Sequence, residues 1–131
     1  MNKLNLTFIL LILLGVSLGC LGPSADDSKC EGIVKSNGKE YVGKAKDEDQ
    51  AGLNACNKFC VAEDSEYEAM YRIWLDSDKA KRLEKSRGQK VSKEDAVLED
   101  SKLLDYVTKN CAVRCKAEAT KGEHTLETKC K

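Results

Sequence analysis

Histidine, tryptophan and proline each occur once in this chain of 131 residues, and aromatic residues make up only 5% of it. His124 is the only imidazole and, following Gly122, reads as an exposed loop residue. No G-x-S-x-G turn accompanies it, so no Ser–His–acid site is legible. The single proline, Pro23, lies near the N-terminus, and no C-x-x-C occurs. The sequence therefore offers neither the dithiol motif nor the cis-proline of a thiol oxidoreductase. Phosphate-loop, dinucleotide and zinc-protease motifs are missing as well. The acidic runs KDEDQ and AEDSEYE lack calcium-loop spacing and read as a helix first turn and a solvated face. Net charge is also lacking, with 22 basic against 22 acidic residues, which leaves nothing to steer nucleic acid. No cofactor, metal ligand set or catalytic residue is expected.

A long hydrophobic run is absent too. Leu4 to Leu14 is apolar apart from Asn5 and Thr7. It falls short of the roughly 20 residues that span a bilayer. After Lys3 it fits the apolar region of an export signal covering residues 1–19. The residues at its end suit two cleavages. Ser17 and Gly19 satisfy the small-x-small rule of ordinary signal peptidase. The stretch SLGC, Ser17 to Cys20, resembles a bacterial lipobox, with Gly19 in place and leucine one position late. That resemblance implies cleavage before Cys20 and an acyl lipid on its sulfur.

Cysteine is what the chain has in quantity, seven residues in all. An odd count leaves one thiol over in an oxidising compartment. Assigning Cys20 to lipid removes the odd one and favours the lipoprotein reading. Cys30, Cys56, Cys60, Cys111, Cys115 and Cys130 then remain to close three bridges.

Residues 20–29 read as a short polar tether and 30–131 as one domain. Within 31–45, Asn37-Gly38 predicts a type I′ hairpin pairing Lys35 with Glu40, Val34 with Tyr41 and Ile33 with Val42. Asp47 is placed to cap a helix whose apolar stripe runs from Ala55 through Cys56, Cys60, Tyr67 and Tyr71 to Trp74, with a break at Glu63. A charged helix over about 78–87, ending at Gly88, should come next. Ser92 starts another helix, with a stripe of Val97, Leu98, Leu104, Val107, Cys111 and Cys115. Residues 124–130 alternate weakly, as an edge strand would.

Cysteines four apart share one helix face. In an antiparallel pair of helices the numbers of facing residues add to a constant. Cys56 with Cys115 and Cys60 with Cys111 give the same sum, and so do Tyr67 with Leu104 and Trp74 with Val97. The expected bridges are therefore nested, Cys56–Cys115 and Cys60–Cys111, leaving Cys30–Cys130. A four-cysteine zinc site is the rival use of those spacings, and export favours disulfides. Twin C-x3-C pairs on a helical hairpin also resemble the small mitochondrial intermembrane-space chaperones and their coiled-coil–helix relatives. The resemblance covers Cys56, Cys60, Cys111 and Cys115 and implies a shared physical solution, with no function carried over. The fold class expected is α+β, a disulfide-stapled antiparallel helical hairpin with a short helix at its tip and a small antiparallel sheet.

For function, the leading expectation is a non-enzymatic lipoprotein of the cell envelope, anchored to the membrane, with a structural or protein-binding role. A secreted inhibitor or effector is the alternative, and a hydrolase working through carboxylates alone is a third. Tyr71, Trp74, Arg82 and Arg87, at the hairpin end away from the cysteines, are the candidate partner-binding residues.

Overall fold

The computed structural model describes residues 28–119 and 121–131; the expected export signal, Cys20 and the expected tether through residue 27 lie outside the described residues. The hairpin forms where Asn37 and Gly38 take positive φ, 49° and 76°, the pair of values a type I′ turn needs. It joins β1 (Cys30–Ser36) to β2 (Lys39–Ala45). Lys35 faces Glu40, Val34 faces Tyr41 and Ile33 faces Val42, as the turn predicts. β3 (Thr125–Cys130) pairs antiparallel with the other side of β1, so the strand order is β2-β1-β3 and β3 is an edge.

One helix, α1 (Glu48–Glu63), lies directly on this sheet. Asp47 caps it, accepting the Gln50 backbone N–H at 2.8 Å. The close approach has a cause in Gly32 and Gly43, which face each other across β1 and β2. A Cβ on Gly43 would lie 2.2 Å from the Ala55 nitrogen, and one on Gly32 would lie 2.4 Å from the Ala51 oxygen. Two adjacent glycines thus make a notch that seats Ala51 and Ala55, both fully buried.

Asp64 then ends α1 with extended backbone, φ −74° and ψ 122°, and caps α2 (Ser65–Leu75) by accepting the Tyr67 N–H. A short helix, α3 (Asp78–Arg87), is capped by Ser77 and closed by Gly88 in the left-handed region at φ 68°. The return arm begins with α4 (Lys93–Glu99), capped by Ser92. Asp100 breaks it as Asp64 breaks the first arm and caps α5 (Ser101–Asp105), accepting from Lys102 and Leu103. The arm continues through a π-helical turn (Tyr106–Cys111) into α6 (Ala112–Glu118). The wider turn brings Tyr106, Val107 and Cys111 all to the inner side, where each is buried.

Three bridges close the architecture in the nested order: Cys30–Cys130, Cys56–Cys115 and Cys60–Cys111. The four inner cysteines are buried between α1 and the π turn with α6. The bridges span 100, 59 and 51 residues. Each contributes about 2–4 kcal/mol, largely by restricting the unfolded chain. That is a large share of the about 5–15 kcal/mol net stability of a domain. Bridges of this kind persist in an oxidising, exported environment.

Two expectations need correction. The straight register carried outward from the cysteines, Tyr67 against Leu104 and Trp74 against Val97, gives way past Asp64 and Asp100. There the Tyr67 hydroxyl donates to the Lys93 carbonyl at 2.5 Å, Val97 shares a groove with Val61 and Leu104, and Trp74 lies beside Leu103. Each aspartate redirects its helix, so one constant cannot describe both halves of the hairpin. His124 is also not exposed. It retains 6% of its surface, its Nε2 lies 2.7 Å from the Cys115 carbonyl, and its ring sits 5.0 Å from that of Phe59. Gly122, at φ 98°, turns the chain back over the end of α6 and puts the imidazole on the helix's last carbonyls.

Candidate functional site

The hairpin has unlike ends. Two buried bridges lock the sheet-side end, and no covalent link restrains the other. At that free end the aromatic side chains of α2 are partly consumed by the fold. Tyr67 is fully buried. Tyr71 is half-buried, and its hydroxyl donates to the Val91 carbonyl at 2.6 Å. Burial, with Glu68 nearby, pushes both phenols above their ordinary range. Trp74 retains only 7% exposure, and its indole nitrogen is buried without an acceptor.

Trp74 nevertheless forms one wall of a pocket of about 300 Å³, together with Met70, Ile73, Leu103 and Lys102. Ile73, one residue before the tryptophan, is 75% exposed. The two arginines divide. Arg87 is fastened to α4 by ion pairs to Glu99 at 2.7 Å and Asp95 at 3.4 Å. Arg82 stands exposed on α3. Of the four residues singled out in the sequence, Trp74 therefore supplies a pocket wall, Tyr71 and Arg87 position neighbouring segments, and Arg82 alone is an open charge. Lys102 was not anticipated, and Ile73 lies outside those four. Ile73 carried a signal, since it falls off the inward stripe of α2.

A second hollow, of about 420 Å³, runs where α1, α4 and the π turn meet β2. Val61, Val97, Leu104 and Val107 line it, Tyr41 closes one end, and Asn57 leaves a buried side-chain oxygen without a partner. Leu104 remains 41% exposed and Leu98, beside Val97 on α4, 81% exposed. The apolar stripe of the second arm is thus only partly covered.

The third hollow is polar, about 270 Å³, and lies over the inner bridges between Glu63, Asp64, Arg114 and His124. Two of its four acids are already engaged. Asp64 accepts from the Tyr106 hydroxyl at 2.8 Å and from Arg114 at 2.7 Å. Glu63 accepts from Lys39 at 2.6 Å and from the Tyr41 hydroxyl. The Lys39 hydrogen bond, then that of Tyr41, holds the Glu63 carboxyl below the usual carboxylate range. A general acid at neutral pH needs the opposite shift. In return, burial first and Glu63 second push Tyr41 up to about 12.

Among the described residues no group of three or more His, Cys, Asp or Glu side chains could hold a metal ion, and no helix is long and apolar enough to cross a membrane. The four cysteines that zinc would use are bonded to each other. No family model matches the chain, and no curated protein and no solved structure matches it either.

Proposed function

We propose that the chain is a small exported lipoprotein, held at the membrane of the cell envelope by an acyl chain on Cys20. Its domain binds a protein partner through the free end of the helical hairpin and performs no chemistry of its own. The observation that carries the binding role is Ile73, 75% exposed beside the pocket walled by Trp74, Met70 and Leu103 at the end no bridge restrains. Ile73 is continuous with the apolar lining of the pocket, and a contiguous apolar patch of this kind is what marks a protein-binding surface. Exposed Lys81, Arg82 and Lys85 on the following helix add positive charge. The fitting partner surface is an apolar side chain flanked by acids.

Capture of partners from envelope extract by the mature protein tests this reading. Ile73→Glu should abolish capture and Arg82→Ala should weaken it, whereas Lys35→Ala on the outer face of the sheet should leave it intact. The reverse pattern places the binding face on the sheet and ends the tip reading. The anchor is tested separately. Cys20→Ser should move the folded domain to the soluble fraction, and a variant that stays in the membrane, or a mature wild type without acyl mass, removes the lipoprotein assignment.

A further inference from the structure

The three bridges are not equivalent in access. Cys56, Cys60, Cys111 and Cys115 retain between 0% and 3% of their surface, and no thiol reaches their sulfurs without opening the core. The outer bridge differs. Cys30 is buried at 5%, but Cys130 is exposed on the edge strand β3, directly across from it. Both cysteines line a hollow of about 550 Å³ whose other walls include Lys29, Lys44, Lys129 and Lys131. Glu31 is the one acid in that lining, and it lies 3.3 Å from Lys129. Four lysines gather around an accessible disulfide, with Glu31 in the lining and Glu48 beside Cys130 as the acids against them, a combination found nowhere else among the described residues.

We propose that Cys130 is a thiol-exchange site, at which the Cys30–Cys130 bridge is opened selectively by a thiol carried on an acidic peptide. The step is ordinary exchange. An incoming thiolate attacks Cys130 Sγ, forms a mixed disulfide with it and expels Cys30 as a thiolate, which takes a proton from water. A second thiol of the same donor then attacks the mixed disulfide, and Cys130 leaves as a thiolate and is protonated. Two donor thiols end as one disulfide, and their two electrons reside in the reduced cysteine pair. The lysines contribute twice. They raise the local concentration of an anionic donor, and they stabilise the departing thiolate, whose lower pKa makes it leave faster. The Glu48 carboxylate, 3.7 Å from Cys130 Sγ, opposes the approach and limits the rate.

The consequence is local. Opening the outer bridge leaves the two inner bridges and α1 in place. β3 then keeps its ladder to β1, the packing of Leu126 against the core and the exposed ion pairs Lys35–Glu127 and Glu31–Lys129, with no covalent tie. The device converts a covalently closed sheet edge into a releasable one, beside the point where the chain leaves the domain toward its N-terminus.

The test uses the intact mature protein at low ionic strength. It is exposed in parallel to glutathione, which is anionic, to neutral 2-mercaptoethanol and to cationic cysteamine. Each rate is divided by that thiol's rate on a small uncharged disulfide. Free thiols are alkylated at intervals and located by mass spectrometry. Cys30 should be alkylated first, with Cys130 carrying the donor as a mixed disulfide, while the other four cysteines stay bonded and glutathione is the fastest of the three donors after normalisation. Lys129→Gln with Lys131→Gln should reduce the glutathione preference about two- to fivefold, the range for exposed charge pairs, and added salt should reduce it likewise. Glu48→Gln should raise it. Labelling of the inner cysteines first or simultaneously overturns the proposal, as does a normalised rate indifferent to donor charge in the wild type.

Discussion

The Tyr106 hydroxyl lies 2.8 Å from Asp64 Oδ1 and 3.0 Å from a Glu66 carboxylate oxygen, so the π turn of one helical arm is tied to the break in the other. Arg114 completes the junction, 2.7 Å from Asp64 and 3.3 Å from the phenol. Asp64 thus serves as helix cap, acceptor and ion-pair partner at once. Asp64→Ala should cost about 1–2 kcal/mol, because it removes a helix cap and one acceptor of the junction, leaving Glu66 as the acceptor for Tyr106. Tyr106→Phe, which removes only the hydroxyl, should cost about 1 kcal/mol. Chemical denaturation of both variants checks the order, and equal midpoints would show that the junction is passive.

The glycine notch makes a sharper claim about packing. A methyl group on Gly43 would meet backbone atoms of α1 at 2.2 Å, and backbone cannot rotate away as a side chain does. Gly43→Ala should therefore lift α1 from the sheet and cost about 1–3 kcal/mol or more. Gly52 is the control, because a Cβ there would meet only the Leu126 and Thr128 side chains, at 3.4 Å or more. Gly52→Ala should be neutral or slightly stabilising, given alanine's better helix propensity. Similar thermal midpoints for the two variants would contradict the notch.

All four tyrosines ionise above their ordinary range in the folded protein, with burial the first cause for each. Tyr41 and Tyr106 are both pushed up to about 12. The sign comes from proton uptake. A group whose folded pKa is raised contributes stability that is complete below its unfolded value of about 10 and is lost as pH climbs through the folded one. Absorbance at the phenolate band should show no step near pH 10 while the circular dichroism remains native. Phenolate should instead appear with unfolding as pH climbs toward 12. Glu63 works in the other direction. Its lowered pKa gives stability that is present above the unfolded carboxylate value and lost as pH falls through the folded one. Glu63→Gln should accordingly flatten the acid limb of the stability profile.

Local chemistry made much of this fold legible in the sequence. Asn37-Gly38 set the hairpin register, Asp47, Ser92 and Gly88 marked helix ends, and the cysteine spacing gave the pairing of the inner bridges. What stayed hidden depends on residues far apart in the chain. The break at Glu63 announced the end of the first helix, but the partners that hold Asp64 there, Tyr106 and Arg114, lie far along the chain, and Asp100 interrupts the second stripe without any such mark. The π turn leaves no trace in periodicity. His124 has a loop's neighbours, and its burial results from where Gly122 sends the chain. The candidate site was half legible. The tip was marked by its aromatic residues, but which of them the core absorbs depends on α4, and the groove at Val61, Val97, Leu104 and Val107 draws on several elements at once.

Trypsin separates all four inner cysteines, because Lys58 lies between Cys56 and Cys60 and Arg114 between Cys111 and Cys115. Digestion of the unreduced protein therefore reads the staple on which the helical hairpin depends. DEDQAGLNACNK should be found linked to CK, and FCVAEDSEYEAMYR to NCAVR, which reports Cys56–Cys115 and Cys60–Cys111. Linkage of DEDQAGLNACNK to FCVAEDSEYEAMYR, or to NCAVR, would contradict the antiparallel register and with it the hairpin.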